Sequence, residues 1–243
     1  MMRRLIQAAL LVTASAAVAA CGIHRTEEAG PQTSRTFPVG AFSSLEVAGP
    51  YEVRVHDGAN PGVSVTGPQN ILDHMVVEVD GNELQIHSKK NGMFNRGNWG
   101  SHDKVVVEVT TPTLDGVAIA GSGDIAVDQV RGSSFKGAVA GSGSLAIAAI
   151  DVQSLKLEIA GSGDINAAGK ANQGEYEIAG SGSILAPEVT THILKVSIAG
   201  SGDVAAHSSG TADVEIIGSG DVTVTGGAKC KVDKMGSGNA NCS

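Results

Sequence analysis

From about residue 37 onward, large apolar residues fall at every second position, separated by Lys, Glu, Ser or Ala. Leu155-Lys156-Leu157-Glu158-Ile159, Leu194-Lys195-Val196-Ser197-Ile198 and Val222-Thr223-Val224 show the pattern plainly. A period of two is that of a strand with one buried face, and no 11-residue window of the repetitive region carries a helical stripe. The strands are punctuated by a Gly-Ser-Gly-Asp-like tetrapeptide. Seven copies begin at Gly121, Gly141, Gly161, Gly180, Gly200, Gly218 and Gly236, in steps of 20, 20, 19, 20, 18 and 18 residues. A near-fixed period means one small unit stacked on copies of itself.

A unit this short cannot return as a hairpin and keep its glycines in step. A winding coil can, with each turn laid parallel on the last, roughly 4.8 Å higher. The predicted fold is therefore all-β, a right-handed parallel β-helix (β-solenoid) with coils of about 18–20 residues and an aliphatic interior. At each corner, glycine at the first and third positions permits φ > 0. The fourth position runs Asp124, Ser144, Asp164, Ser183, Asp203, Asp221, Asn239 and is expected to accept hydrogen bonds from its own turn, as in an Asx-turn. Alternation of charged and neutral residues keeps carboxylates apart along this turn ladder, where neighbours about 5 Å apart would repel by about 1 kcal/mol even in water. Asp203 and Asp221 break the alternation. That pair is expected to hold one proton to higher pH or to share a cation such as Ca²⁺; no other metal site and no cofactor is expected.

The ends also read as ends. Val47-Ala48-Gly49-Pro50-Tyr51-Glu52-Val53 matches Ile119 to Ile125 and is taken as a degenerate first turn, with residues 37–110 joining the same stack. One period after Ile216, the inward slot becomes Lys234, as expected where a stack stops. Cys230 and Cys242 take inward slots in that last turn and form a candidate disulfide; the alternative is two reduced cysteines packed as small core residues.

The first twenty residues are a targeting segment. Arg3 and Arg4 precede an apolar run from Leu5 to Val18, and Val18-Ala19-Ala20-Cys21 resembles a bacterial lipoprotein box, which makes Cys21 the acylation site. An ordinary signal peptide with an incidental Cys21 is the alternative. Residues 21–36 then read as the lipidated cysteine and a flexible tether, and 37–243 as one domain. The expected location is the cell envelope, lipid-anchored at the outer membrane, on its periplasmic face or at the cell surface. Net charge is −8, two units more negative once Arg3 and Arg4 are removed, which argues against nucleic-acid partners.

Several segments together resemble a bacterial family described as putative auto-transporter adhesin, head GIN domain. They are Phe42-Ser43-Ser44-Leu45-Glu46-Val47, Asn82-Glu83-Leu84-Gln85-Ile86, and Val105 to Leu114 running into Ala120-Gly121-Ser122-Gly123-Asp124. The resemblance covers roughly residues 38–240. It implies a single right-handed β-helical domain, lipid-anchored or secreted, with an adhesive role, and it carries no catalytic residues.

The residues themselves show no catalytic constellation. The repeated serines, Ser122 to Ser237, sit in Gly-Ser-Gly rather than a nucleophile elbow, and no phosphate loop follows a strand. His56-Asp57 and His102-Asp103 read as solvated loop pairs. One stretch, 89–104, escapes the repeat and carries Phe94, Arg96 and the sole Trp, Trp99. It is a candidate contact patch for a glycan or an envelope protein, against the alternative that Trp99 folds back over the coil. The expected function is a non-catalytic, adhesin-like or structural binding module. A polysaccharide-acting enzyme on the same scaffold is the rival, and a left-handed hexapeptide coil is disfavoured because steps of 19 and 20 are not multiples of six.

Overall fold

Alternation only buries one face of a strand; what the face is buried against depends on which strands pair. A computed structural model of the chain describes residues 30–89 and 104–243. In it the repeats form a parallel β-solenoid. The regular part consists of β8 (Gly116–Gly121), β9 (Asp124–Val127), β10 (Val130–Gly141), β11 (Ser144–Gly161), β12 (Asp164–Gly180), β13 (Ser183–Gly200), β14 (Asp203–Gly218), β15 (Asp221–Thr225), β16 (Lys229–Gly236) and β17 (Asn239–Cys242). Each rung lies on the previous one in register. Ile119 pairs with Val139, Val139 with Ile159, and the column continues through Ile178, Ile198 and Ile216 to Lys234.

All members of this column before Lys234 are buried, so every rung supplies the floor for the next. Size mismatches cancel locally: buried Phe135 accompanies Gly137, and buried Tyr176 accompanies Gly174, each glycine leaving the room its aromatic neighbour needs. Coil length varies without disturbing the Gly-Ser-Gly corners. The register shifts fall elsewhere, between Ile147 and Ile150, Asn166 and Ala168, and Ala186 and Thr190.

The N-terminal third departs from simple winding. It comprises β1 (Gln32–Phe37), β2 (Ser44–Ala48), β3 (Glu52–Asp57), β4 (Gly62–Pro68), a one-turn helix α1 (Gln69–Leu72), β5 (Met75–Asp80), β6 (Glu83–Ser88) and β7 (Val106–Thr111). The coil β2–β3 is first in the chain but not first in the stack. It lies between the β6–β7 rung on one side and the β8–β9 rung on the other, so that Ile86, Val47 and Ile119 follow one another in space. The expectation of a degenerate first turn is corrected accordingly. An alternating strand fits equally well on either neighbour, so its pattern cannot rank the rungs.

Nor do all of residues 37–110 join the parallel stack. β5 runs antiparallel on β6, and β4 runs antiparallel on β7 with β1 beyond it. The tether also ends earlier than residue 36, because Gln32–Phe37 is that outer strand. From Gln32 to Thr36 its side chains are polar and partly or fully exposed, so backbone pairing to β4 holds most of it and only Phe37 packs against the core; composition alone misses it. Ile71, Leu72 and Met75 are buried over this end.

Candidate binding surface

The corners explain why the surface is so regular. At the first glycine, φ is strongly positive (Gly161, φ 134). The third glycine is not in that region, which corrects the expectation for it. A Cβ on Gly163 would instead lie closer than 3.0 Å to the Gly143 carbonyl oxygen of the rung before and to the Val139 side chain. Glycine is needed there for close approach of two rungs. The serine between them is exposed in every copy, and its N–H donates to the first glycine of the preceding rung, at 2.8 Å for Ser142, Ser162, Ser181, Ser201 and Ser219.

The fourth position also works between rungs, not within its own turn. Asp124 Oδ1 accepts the Ser144 N–H at 3.2 Å, and Asp164 Oδ1 accepts that of Ser183 at 3.2 Å. Asp203 Oδ1 accepts the Asp221 N–H at 3.1 Å, and Asp221 Oδ1 accepts both the N–H and the Nδ2–H of Asn239, at 2.9 and 3.0 Å. The adjacent acids are thus engaged by donors of the following rung. Among the described residues, no cluster of three or more His, Cys, Asp or Glu side chains is placed to hold a metal.

Two faces flank this corner and differ sharply. Ahead of it lies a charged face. Lys136 and Lys156 both contact Glu158, at 2.7 and 3.0 Å, and Lys156 also reaches Glu177 and Glu175, at 3.3 and 3.6 Å. The Lys136 hydrogen bond and, beside it, Lys156 hold the Glu158 carboxyl below its ordinary range. Beyond the corner, the outward positions of four successive rungs are Ala126, Ala146, Asn166 and Leu185. With Ala148, Ala168 and Pro187 they line a shallow groove of about 410 Å³, rimmed by Asp128 and Glu188. Leu185 is 43% exposed although nothing in the fold requires a large apolar residue there. A second groove, of about 460 Å³, beside Ile193 and Ala212 is edged by Lys195, Lys229, Lys231 and Asp213.

His56 is a strand residue, not a loop residue, and it does not pair with Asp57. From the central rung its Nδ1 contacts Asp128 Oδ2 and its Nε2 contacts Glu108 Oε2, both at 2.7 Å. These bonds, that to Asp128 first, raise its pKa above the ordinary histidine value. Asp57 contacts Arg131 instead, and Arg54 contacts Glu52 and Glu108. Sequence separations of 52 and 72 residues hide these partners until the rung order is known.

Cys230 and Cys242 are joined in a disulfide across the last rung, with Cα atoms 6.6 Å apart. Lys234 occupies the slot below Ile216 and donates from Nζ to the Gly238 carbonyl at 3.2 Å. Cys21, Phe94, Arg96, Trp99 and His102-Asp103 lie outside the described residues. Among the described residues, no helix is long and apolar enough to cross a membrane. The apolar groove is the feature that sequence reading missed; its signal was Ala126, Ala146, Leu185 and Ala205 in one outward column, interrupted by Asn166.

The fold recurs in solved structures. A putative adhesin from Bacteroides fragilis superposes with a TM-score of 0.82 at 21% identity, covering 88% of this chain and 97% of that one. A putative lipid binding protein from Parabacteroides distasonis gives 0.69 at 25% identity, and a putative adhesin from Parabacteroides merdae 0.69 at 18%, each over 88% of this chain and 97% of the other. No curated protein matches the chain. The family model described as "Putative auto-transporter adhesin, head GIN domain" matches residues 41–228, from just before β2 through β15. The chain belongs to that family.

Proposed function

We propose that this chain is a non-catalytic, adhesin-like binding module of the cell envelope. It is anchored through lipid on Cys21 and presents its solenoid to an envelope protein. Family membership supports the adhesive role. The observation that carries the choice of ligand is the aliphatic groove over Ala126, Ala146 and Leu185, which crosses four rungs and is set by a rigid stack. A contiguous exposed apolar patch is the mark of an interaction site.

A protein ligand fits it better than a polysaccharide. Sugars are gripped by stacking on exposed aromatic rings, and of the described aromatics Phe42, Tyr51, Phe135 and Tyr176 are buried and Phe37 is partly buried against the core. A polysaccharide-acting enzyme would need a free acid and base facing such a groove, whereas His56, Glu108 and Asp128 are engaged with one another. An acyl chain is a second reading, favoured by the aliphatic lining and by the relative described as lipid binding.

The test is binding of the purified chain to envelope vesicles of the producing bacterium, as they stand, after protease digestion, and after glycosidase treatment. Expected are loss with protease, persistence with glycosidase, no released sugar, and at least a tenfold loss for Leu185→Glu, about 1.4 kcal/mol. Binding to protein-free lipid vesicles that Leu185→Glu removes supports the acyl reading instead. Binding indifferent to Leu185→Glu overturns the groove as the site.

A further inference from the structure

The solenoid stops at β16 and β17. Each pairs with a previous rung on one side only, β16 with β14 and β17 with β15, and among the described residues no strand, helix or loop lies on the other side of β16. Half of its backbone donors and acceptors therefore point along the stack axis, away from the molecule. The inward slots of this rung are open as well. Val232 is 39% exposed where its counterpart Val214 is fully buried, and beside it on the outer face Ile217 and Met235 are 50% and 72% exposed. The opposite end has no such opening, because β4, β5 and α1 cover it.

We infer that this bare end is a self-association surface, in which β16 pairs antiparallel with β16 of a second copy about a twofold axis at Val232. The charge order of the strand selects that partner and that register. Lys231 and Asp233 both point outward, on either side of Val232, and contact each other at 2.8 Å within one copy; as exposed groups they can engage a second copy as well. In an antiparallel pair centred on Val232, Lys231 stands opposite Asp233 of the second copy and Asp233 opposite its Lys231. Two opposite-charge cross-strand pairs form from one sequence, with Val232 against Val232 between them. A head-to-tail filament would instead set β16 against the opposite end of the next copy, where β4 and β5 run antiparallel over the rung and α1 packs beside them, so it offers no matching charge order. The twofold pairing completes the backbone edge of β16 in both copies, with Lys234 of each facing the Cys230–Cys242 bridge of the other.

The geometry also gives the association a direction. The chain enters the fold at Gln32, in β1 on the sealed end, so the bare ends are the ends remote from the N-terminus. Chains held by their N-termini on two facing surfaces would then meet end to end. This inference does not use the apolar groove, and either can fail without the other.

Sedimentation velocity of the full chain, carrying Cys21→Ser to remove the candidate acylation site, tests it. Wild-type protein is expected to dimerise reversibly, more weakly at high salt. Lys231→Asp alone and Asp233→Lys alone each replace attraction by repulsion at both symmetric pairs, and each should raise the dimer Kd about tenfold or more. The double variant Lys231→Asp/Asp233→Lys restores opposite charges across the axis and should return the Kd to within about threefold of wild type. When dilute, the thermal transitions of all four proteins should stay close together, since Lys231 contacts Asp233 and Asp213 only at the exposed surface, where such pairs contribute little. A wild type that remains monomeric at about 100 μM, far above the Kd of a specific interface, overturns the inference. A dimer that ignores the single variants, or a double variant that fails to recover, overturns the β16 register.

Discussion

The two ends of this solenoid face the same physical problem and solve it differently. Stacked rungs bury one another's aliphatic side chains, so a first and a last rung must each leave a face uncovered. At the N-terminal end the chain covers that face with itself: β4 and β5 reverse direction over β7 and β6, β1 extends the sheet, and Ile71, Leu72 and Met75 are buried over the opening. At the C-terminal end none of the described strands folds back over β16 and β17. The last rung keeps the backbone register of its predecessors but changes its contents, replacing Ile216 by Lys234 and tying Cys230 to Cys242. One end is sealed by packing, the other held by a covalent tie and left reachable. An end that is covered serves stability; an end that is open is available to a partner.

The largest effect should come from between the ends, where the regular rungs share the corner column from Gly121 to Gly238. Gly163→Ala places a Cβ against the Gly143 carbonyl and the Val139 side chain, and should cost about 4 kcal/mol or more in denaturant unfolding. Gly62→Ala, in β4 of the sealed end, meets nothing within 4 Å and should change stability by less than about 0.5 kcal/mol. Next come the ends themselves. Leu72→Ala should lose about 3 kcal/mol from the packed seal, whereas Met235→Ala at the bare end should lose about 0.5 kcal/mol or less. Equal costs would erase the distinction between them.

Reducing the disulfide, or the double variant Cys230→Ser/Cys242→Ser, should cost about 2–3 kcal/mol. The loss should appear as faster amide exchange in 229–243, with the sealed end unchanged. The smallest effect concerns the joint where β3 is inserted. His56 has a raised pKa in the folded chain, so its contribution is complete below the unfolded value of about 6.5 and is lost as pH rises through the folded value. Since its side chain is 42% exposed, the contribution should be about 0.5 kcal/mol. The difference in unfolding midpoint between wild type and His56→Asn should be larger at pH 5.5 than at pH 8.5.

What the sequence disclosed and what it withheld follow from which interactions are local. The corner glycines recur because each rung must approach the last closely, so the coil and its period were legible in Gly121 to Gly236. Lys234 and the two cysteines were legible because each breaks a column that the register had already defined. The rung order was not, since Val53 and Val55 alternate identically whether the next neighbour is Val107 or Ile125. The reason for the third glycine was hidden for the same cause: the atom its Cβ would strike belongs to another rung. Residues 32–36 escaped notice because backbone pairing to β4 holds them in place, and only Phe37 of that strand packs against the core. His56 looked like half of a sequence-adjacent pair, and its partners emerged only with the insertion of β3 between β7 and β9.

Amide hydrogen exchange, read rung by rung in solution too dilute for self-association, tests the contrast between the ends most directly. With the disulfide intact, protection should stay high from the middle of the stack through β6 and β7 and fall at β16 and β17. Reduction should deepen that fall and leave β6 and β7 unchanged. A last rung as slow to exchange as β12, or a sealed end that frays as readily as the bare one, would contradict the account.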